Sequence, residues 1–275
     1  MATHASMKEF KTSDGLRLRY VVDDYTDPWR PASTVVMIHA AMGSSRRFYA
    51  WVPRLARDFR VVRLDVRGHG ESEVPGPNQL SFERLVLDVK ELLEHLNIGS
   101  AHLVGSSAGA IVAQGFAIRC PERVATLASY AATPGMKIGK QDYAGWVSRI
   151  GTSGVAGFLR ATIKDRFNLD TVDPGFVDWF VTESARTPVD VLARMVPMMA
   201  AVDLVSDLHK ISCPVLCVVP GGDPIHPVSE YRLLEELIAD CEFVVYDGLP
   251  HNITDAVPDR CAEDLHRFLM AKVQQ

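Results

Sequence analysis

Cysteine is scarce in this chain: five in 275 residues, an odd number with no C-x-x-C pair and no paired histidine spacing. That pattern argues against a disulfide framework and carries no metal-site signature. The thiols are therefore expected to be reduced and packed, as Cys213 and Cys217 beside an apolar run would be. No apolar stretch of about 18 residues free of Gly, Ser and Gln exists, which argues against a membrane span. Met1 to Phe10 has no apolar segment of the kind a secretory leader carries. The net charge is only -5, and no Lys/Arg cluster forms a stripe, so nucleic acid and anionic membrane are not expected partners. Internal repeats and low-complexity tracts are also missing. The expectation is a cytoplasmic protein with no metal site; assembly into a homo-oligomer is left open.

What is present is an ordinary globular balance, 47% hydrophobic and 23% charged. Lys8 to Val22 alternates around the turn Ser13-Asp14-Gly15, the pattern of a hairpin. Thr34 to His39 is a continuous β-branched and apolar run, as in a strand buried on both faces of a parallel sheet. Phe48, Trp51, Val52 and Leu55 then recur at helical spacing. Arg60 to Asp65 is the next strand, and Ser81 caps a helix whose apolar face runs from Phe82 to Leu96. Further strands are expected at Ala101–Gly105, Val124–Tyr130, Val215–Val219 and Phe243–Tyr246. Helices are expected at Ser229–Ile238 and Val257–Met270. Strand and helix alternate, so the fold class is α/β with a largely parallel sheet wound in right-handed crossovers.

The rhythm breaks between 134 and 209. Helical segments at Trp146–Phe158, Phe176–Ser184 and Val189–Val202 occur there without a buried strand. This stretch is expected to be a helical cap inserted after the sixth strand, with 1–133 and 210–275 forming one core domain.

The centre of the chain is Ala101 to Arg119 (AHLVGSSAGAIVAQGFAIR). It reads strand, tight turn, helix, with Gly105-Ser106-Ser107-Ala108-Gly109 at the turn. This is G-x-S-x-G in the structural context that makes it a nucleophile elbow. The two glycines allow strand and helix to approach closely. A serine hydroxyl needs a neighbouring base, and the base needs an orienting group. In a parallel sheet these come from loops after strand carboxyl ends. His251 follows the last strand and is the candidate base among nine histidines, with His226 its competitor. Asp223 ends the preceding strand in Pro220-Gly221-Gly222-Asp223-Pro224. The N–H groups of Ala41 and Ala108 are the expected oxyanion donors. Ala40, Met42, Ser106, Trp146 and Met195 are candidate substrate contacts. Asp65 to Ser72 (DVRGHGES) is expected to be structural, its glycines and an Arg/Asp pair shaping a turn. Arg149, Arg160, Arg166, Arg186 and Arg194 in the cap are expected mostly to face water. One that points inward would imply a substrate carboxylate.

The residues His39-Ala40, Asp65-x-Arg67-Gly68-His69-Gly70-x-Ser72, Gly105-x-Ser107-x-Gly109, Gly222-Asp223 and His251 stand in the order found in the α/β-hydrolase family. The chain resembles most the 3-oxoadipate enol-lactonase and carboxylesterase branch, over essentially its whole length. The resemblance implies a cofactor-free hydrolase of a small ester or lactone with Ser107, Asp223 and His251 as the triad. Three positions depart from the family pattern: Ala40, Gly109-Ala110 and Phe48. A C–C bond hydrolase or an acyltransferase would use the same three residues, and a ligand receptor on a hydrolase scaffold would keep them too. A serine at 107 argues against the aspartate-nucleophile dehalogenases and epoxide hydrolases.

Overall fold

The run Thr34–Ile38 (β3) is buried at every position and sits mid-sheet. In the computed structural model, which describes residues 6–273, the sheet has eight strands. His4 lies outside the described residues. The other strands are β1 (Met7–Lys11), β2 (Arg17–Asp23), β4 (Arg60–Leu64), β5 (Ala101–Ser106), β6 (Val124–Tyr130), β7 (Val215–Pro220) and β8 (Cys241–Tyr246). Their spatial order is β1-β2-β4-β3-β5-β6-β7-β8. The hairpin β1–β2 and the β2–β4 pair are antiparallel, and every later pairing is parallel. Gly15, at a φ of 88°, makes the hairpin turn possible.

The helices are α1 (Val52–Leu55), α2 (Phe82–His95), α3 (Ala108–Arg119), α4 (Tyr143–Ala161), α5 (Pro174–Ser184), α6 (Val189–Ala200), α7 (Val228–Leu237), α8 (Ile253–Ala256) and α9 (Pro258–Val273). Side chains alternate across the sheet with the two-residue period of a strand. Val36 and Ile38 join the core with α2, α3 and α7, whereas Val35 and Met37 join the core with α1 and α9. The Ser81 side chain accepts the Arg84 N–H and so starts α2 as expected.

Two stretches differ from their periodicity. Phe48 to Leu55 is a 3₁₀ turn (Ser45–Phe48) followed by short α1, because Pro53 has no N–H to carry a continuous ladder. Ahead of the expected last helix, α9, stands the short α8, which was not expected; the two are divided at Val257 (φ -133°, ψ 58°), since the residue before Pro258 is pushed out of helical space. Between β6 and β7 the described residues hold α4, α5 and α6 and no strand. These helices share an apolar core that includes Ile150, Phe158, Phe167, Phe180 and Leu192, and it takes in Met42 from the loop after β3. They thus lie against the carboxyl end of the sheet.

Candidate active site

At the end of β5 the backbone turns at Ser107, which has φ 50° and ψ -120°. Such a conformation costs a non-glycine residue about 1–3 kcal/mol. The turn is forced by close packing on both sides of it. A Cβ at Gly105 would lie 2.3 Å from Ala110 Cα, and one at Gly109 would lie 2.3 Å from the Ile38 carbonyl oxygen. With glycine at both places, α3 starts directly against β5 and β3.

Ser107, Asp223 and His251 come from the loops after β5, β7 and β8 and converge at one sheet edge. Ser107 Oγ lies 3.1 Å from His251 Nε2, and His251 Nδ1 lies 2.7 Å from Asp223 Oδ2. The Asp223 side chain is fully buried. Its Oδ1 accepts the Ile225 N–H at 2.8 Å, and its Oδ2 also accepts the Tyr231 hydroxyl. Burial alone would push this carboxyl up, but the His251 charge and the hydrogen bonds from His251, Tyr231 and Ile225 hold it below the usual carboxylate range. An ionised Asp223 keeps the His251 proton on Nδ1 and leaves the Nε2 lone pair facing the serine. A proton can therefore pass from hydroxyl to ring.

Ser107 and His251 open into a cavity of about 850 Å³, counted out to the solvent at its mouth. Ala41 and Ala108 line it beside Ser107. Neither of their N–H groups donates to another described residue. Its walls are mostly apolar, with Met42, Trp146, Met195 and Met199 among them. The loop bearing Ala41 is held from behind. His39 bonds the Ala40 carbonyl (2.7 Å) through Nδ1 and accepts the Val66 N–H (3.0 Å) at Nε2. Burial pulls His39 down to about 4 and His69 to about 3, so both are neutral props at pH 7.

A family described as the alpha/beta hydrolase fold matches residues 33–150. A 3-oxoadipate enol-lactonase of Acinetobacter baylyi is 28% identical over 208 residues, covering 72% of this chain and 75% of that protein. The solved structure of a Pseudomonas aeruginosa hydrolase superposes with a TM-score of 0.84 at 27% identity, covering 98% of this chain and 99% of that one. The enol-lactonase of Burkholderia xenovorans shares the fold at a TM-score of 0.88 and 22% identity, over 96% of this chain and 100% of that one. The chain has the α/β-hydrolase fold, and its residues 33–150 match that family.

In this hydrolase Ala40, Met42, Trp146 and Met195 line the cavity, but Ser106 does not. Ser106 is the last residue of β5, so its side chain takes the opposite face from its neighbour, and Oγ pairs with Thr254 Oγ1 at 2.9 Å. The Arg/Asp pair expected in DVRGHGES is also different. Arg67 pairs with Asp88 and Asp14, whereas Asp65 accepts the N–H groups of Ser45 (2.6 Å) and Glu71 (2.9 Å). The turn is thus pinned by backbone donors, and the arginine ties it to α2 and the hairpin. Of the five cap arginines, Arg149, Arg160 and Arg186 are exposed and Arg194 is partly so. Arg166 alone is buried, at 5% exposure, and it lines the hydrolase cavity. Tyr231, which props Asp223, carried no signal in sequence: it is one apolar position on the inner face of α7.

Proposed function

We propose that this α/β-hydrolase cleaves a small ester or lactone through an acyl-enzyme on Ser107. The observation that carries this reading is the chain of contacts Ser107 Oγ–His251–Asp223 at the wall of an apolar cavity. His251 Nε2 takes the hydroxyl proton as Ser107 Oγ bonds to the carbonyl carbon. The resulting oxyanion rests on the N–H groups of Ala41 and Ala108. The second donor sits at the start of α3, where the helix dipole also favours negative charge. Collapse of the intermediate breaks the bond to the leaving oxygen, which receives the proton from His251. Water then attacks the acyl carbon while His251 takes its proton, and that proton returns to Ser107 as the acid departs. Asp223 keeps the ring oriented throughout.

Arg166 sharpens the substrate class. Its Nη1 donates to the Thr162 carbonyl and Oγ1 (2.9 and 2.8 Å), and no carboxylate pairs with it among the described residues. The other buried arginines are all paired: Arg47 with Asp255, Arg63 with Asp23, and Arg67 with Asp88. Burial pulls the Arg166 pKa down to about 10, so the group is still charged at pH 7. A buried unpaired guanidinium is costly, and its planar fork fits a carboxylate. The proposed substrate therefore carries a carboxylate apart from the bond that is cut.

A panel of aryl esters, lactones and C–C substrates, run on wild type and Ser107→Ala, tests the reaction. Loss of about 10³-fold or more in kcat with an intact fold is expected. Equal turnover by the mutant would remove the serine from the mechanism. A half-ester ending in a carboxylate, compared with its neutral analogue on wild type and Arg166→Met, tests the substrate class. Lack of any wild-type preference for the acid would refute it.

A further inference from the structure

A second histidine–carboxylate pair faces the same cavity. His226 lines it, is 6% exposed, and holds its ring 6.4 Å from that of His251. Its Nδ1 lies 2.7 Å from Oε2 of Glu230, which stands in the first turn of α7, four residues further along the chain. Nε2 has no hydrogen-bond partner among the described residues, and it is not sealed away from accessible space. The ring cannot swing freely. A Cβ on Gly139 would lie 2.9 Å from its Cε1, and Tyr231 packs edge-on with its centroid 6.0 Å away. Its backbone is equally held, between Pro224 and Pro227, in a turn where Asp223 accepts the Ile225 N–H.

Other polar groups on the wall donate to the protein itself. The Thr133 hydroxyl donates to the Gly135 carbonyl, the Tyr143 hydroxyl to the Met136 carbonyl, and the Asn252 amide to Asp255. His226 differs. With the Nδ1 proton donated to Glu230, the lone pair on Nε2 is left as an oriented acceptor beside the reacting groups. A site that only needed packing here would be filled as well by an apolar side chain.

We propose that His226 is a specificity-determining residue whose Nε2 accepts a hydrogen bond from a hydroxyl group on the substrate. The inference rests on the serine-hydrolase reading and adds a second recognition element to it. A substrate without that hydroxyl desolvates Nε2 and returns nothing, which is the condition under which enzymes discriminate strongly between hydroxylated and deoxy analogues.

The test uses neutral 4-nitrophenyl esters of butyrate and of butyrates hydroxylated at carbon two or carbon three, so that Arg166 is not engaged. The readout is the ratio of kcat/KM for each hydroxylated ester to that for butyrate, in wild type, His226→Leu and His226→Gln. Wild type is expected to favour at least one hydroxylated ester by about 5- to 100-fold. H226L should bring that ratio close to one, and H226Q, which keeps a polar atom at the tip, should restore part of it. If H226L does not fold, Glu230→Ala releases the ring from its orienting carboxylate, and the ratio should fall at least threefold. A wild-type ratio near one for every ester, or a ratio that survives H226L or E230A, overturns the assignment of His226. In that case turnover abolished by Ser107→Ala would leave the hydrolase reading intact, whereas esters cleaved equally by S107A would sink both.

Discussion

The backbone at Ser107 stores strain that a pair of substitutions can measure. Ser107→Ala and Ser107→Gly both delete the hydroxyl and its 3.1 Å contact with His251. They differ in what they do at φ 50°, ψ -120°. Alanine keeps the Cβ and its clash, about 1–3 kcal/mol, while glycine occupies such a conformation freely. Glycine also loosens the unfolded chain, at a cost of about 0.4–1 kcal/mol to the folded state. The difference leaves S107G more stable than S107A by about 1–2 kcal/mol. For a domain of this size that corresponds to a Tm higher by roughly 2–8 °C. Urea or thermal unfolding of the two variants, side by side, gives the number directly. Both are expected to lose ester turnover to the same extent, because neither carries the proposed nucleophile. If S107G is no more stable than S107A, the turn holds no strain, and the account of how the hydroxyl is lifted from the sheet is wrong.

Gly109→Ala would place a methyl 2.3 Å from the Ile38 carbonyl oxygen and 2.4 Å from that of His39, both of them backbone atoms. Separation of α3 from β3 is expected to cost about 1–3 kcal/mol. The Ala108 donor moves with the helix, so kcat should fall by up to about 10²-fold even where the protein stays folded. Wild-type stability and kcat in this variant would contradict the close approach. Acid should also loosen the fold. Burial lowers His39 to about 4, His69 to about 3 and His102 to about 4. Below pH 6.5 the unfolded chain gains protons that these folded sites refuse, so stability falls as pH drops from about 6.5 towards 4. At pH 5 each contributes a loss of about 2 kcal/mol. A denaturation midpoint that stays level from pH 7 to pH 5 would mean that the rings are not held neutral.

The two-residue alternation and the unbroken apolar runs made the strands legible, and helical spacing made α2 and α7 legible. Proline, which interrupts a helix without changing its hydrophobic period, hid the break at Pro53. Ser107, Asp223 and His251 could be picked out because the loops after parallel strands all open at one edge, so position along the chain implied position in space. Ser106 could not be placed in the same way, since the Thr254 hydroxyl that it meets comes from a distant part of the chain.

By itself, then, the amino-acid order determined the succession of elements and which three side chains meet. Only tertiary structure decided which of five cap arginines is turned inward, that Tyr231 supports Asp223, and that His226 is oriented by Glu230 beside His251. The reason is physical. Local periodicity records which face of an element is buried, but it does not record what that face is buried against. A guanidinium or an imidazole acquires its role from partners contributed by other parts of the chain.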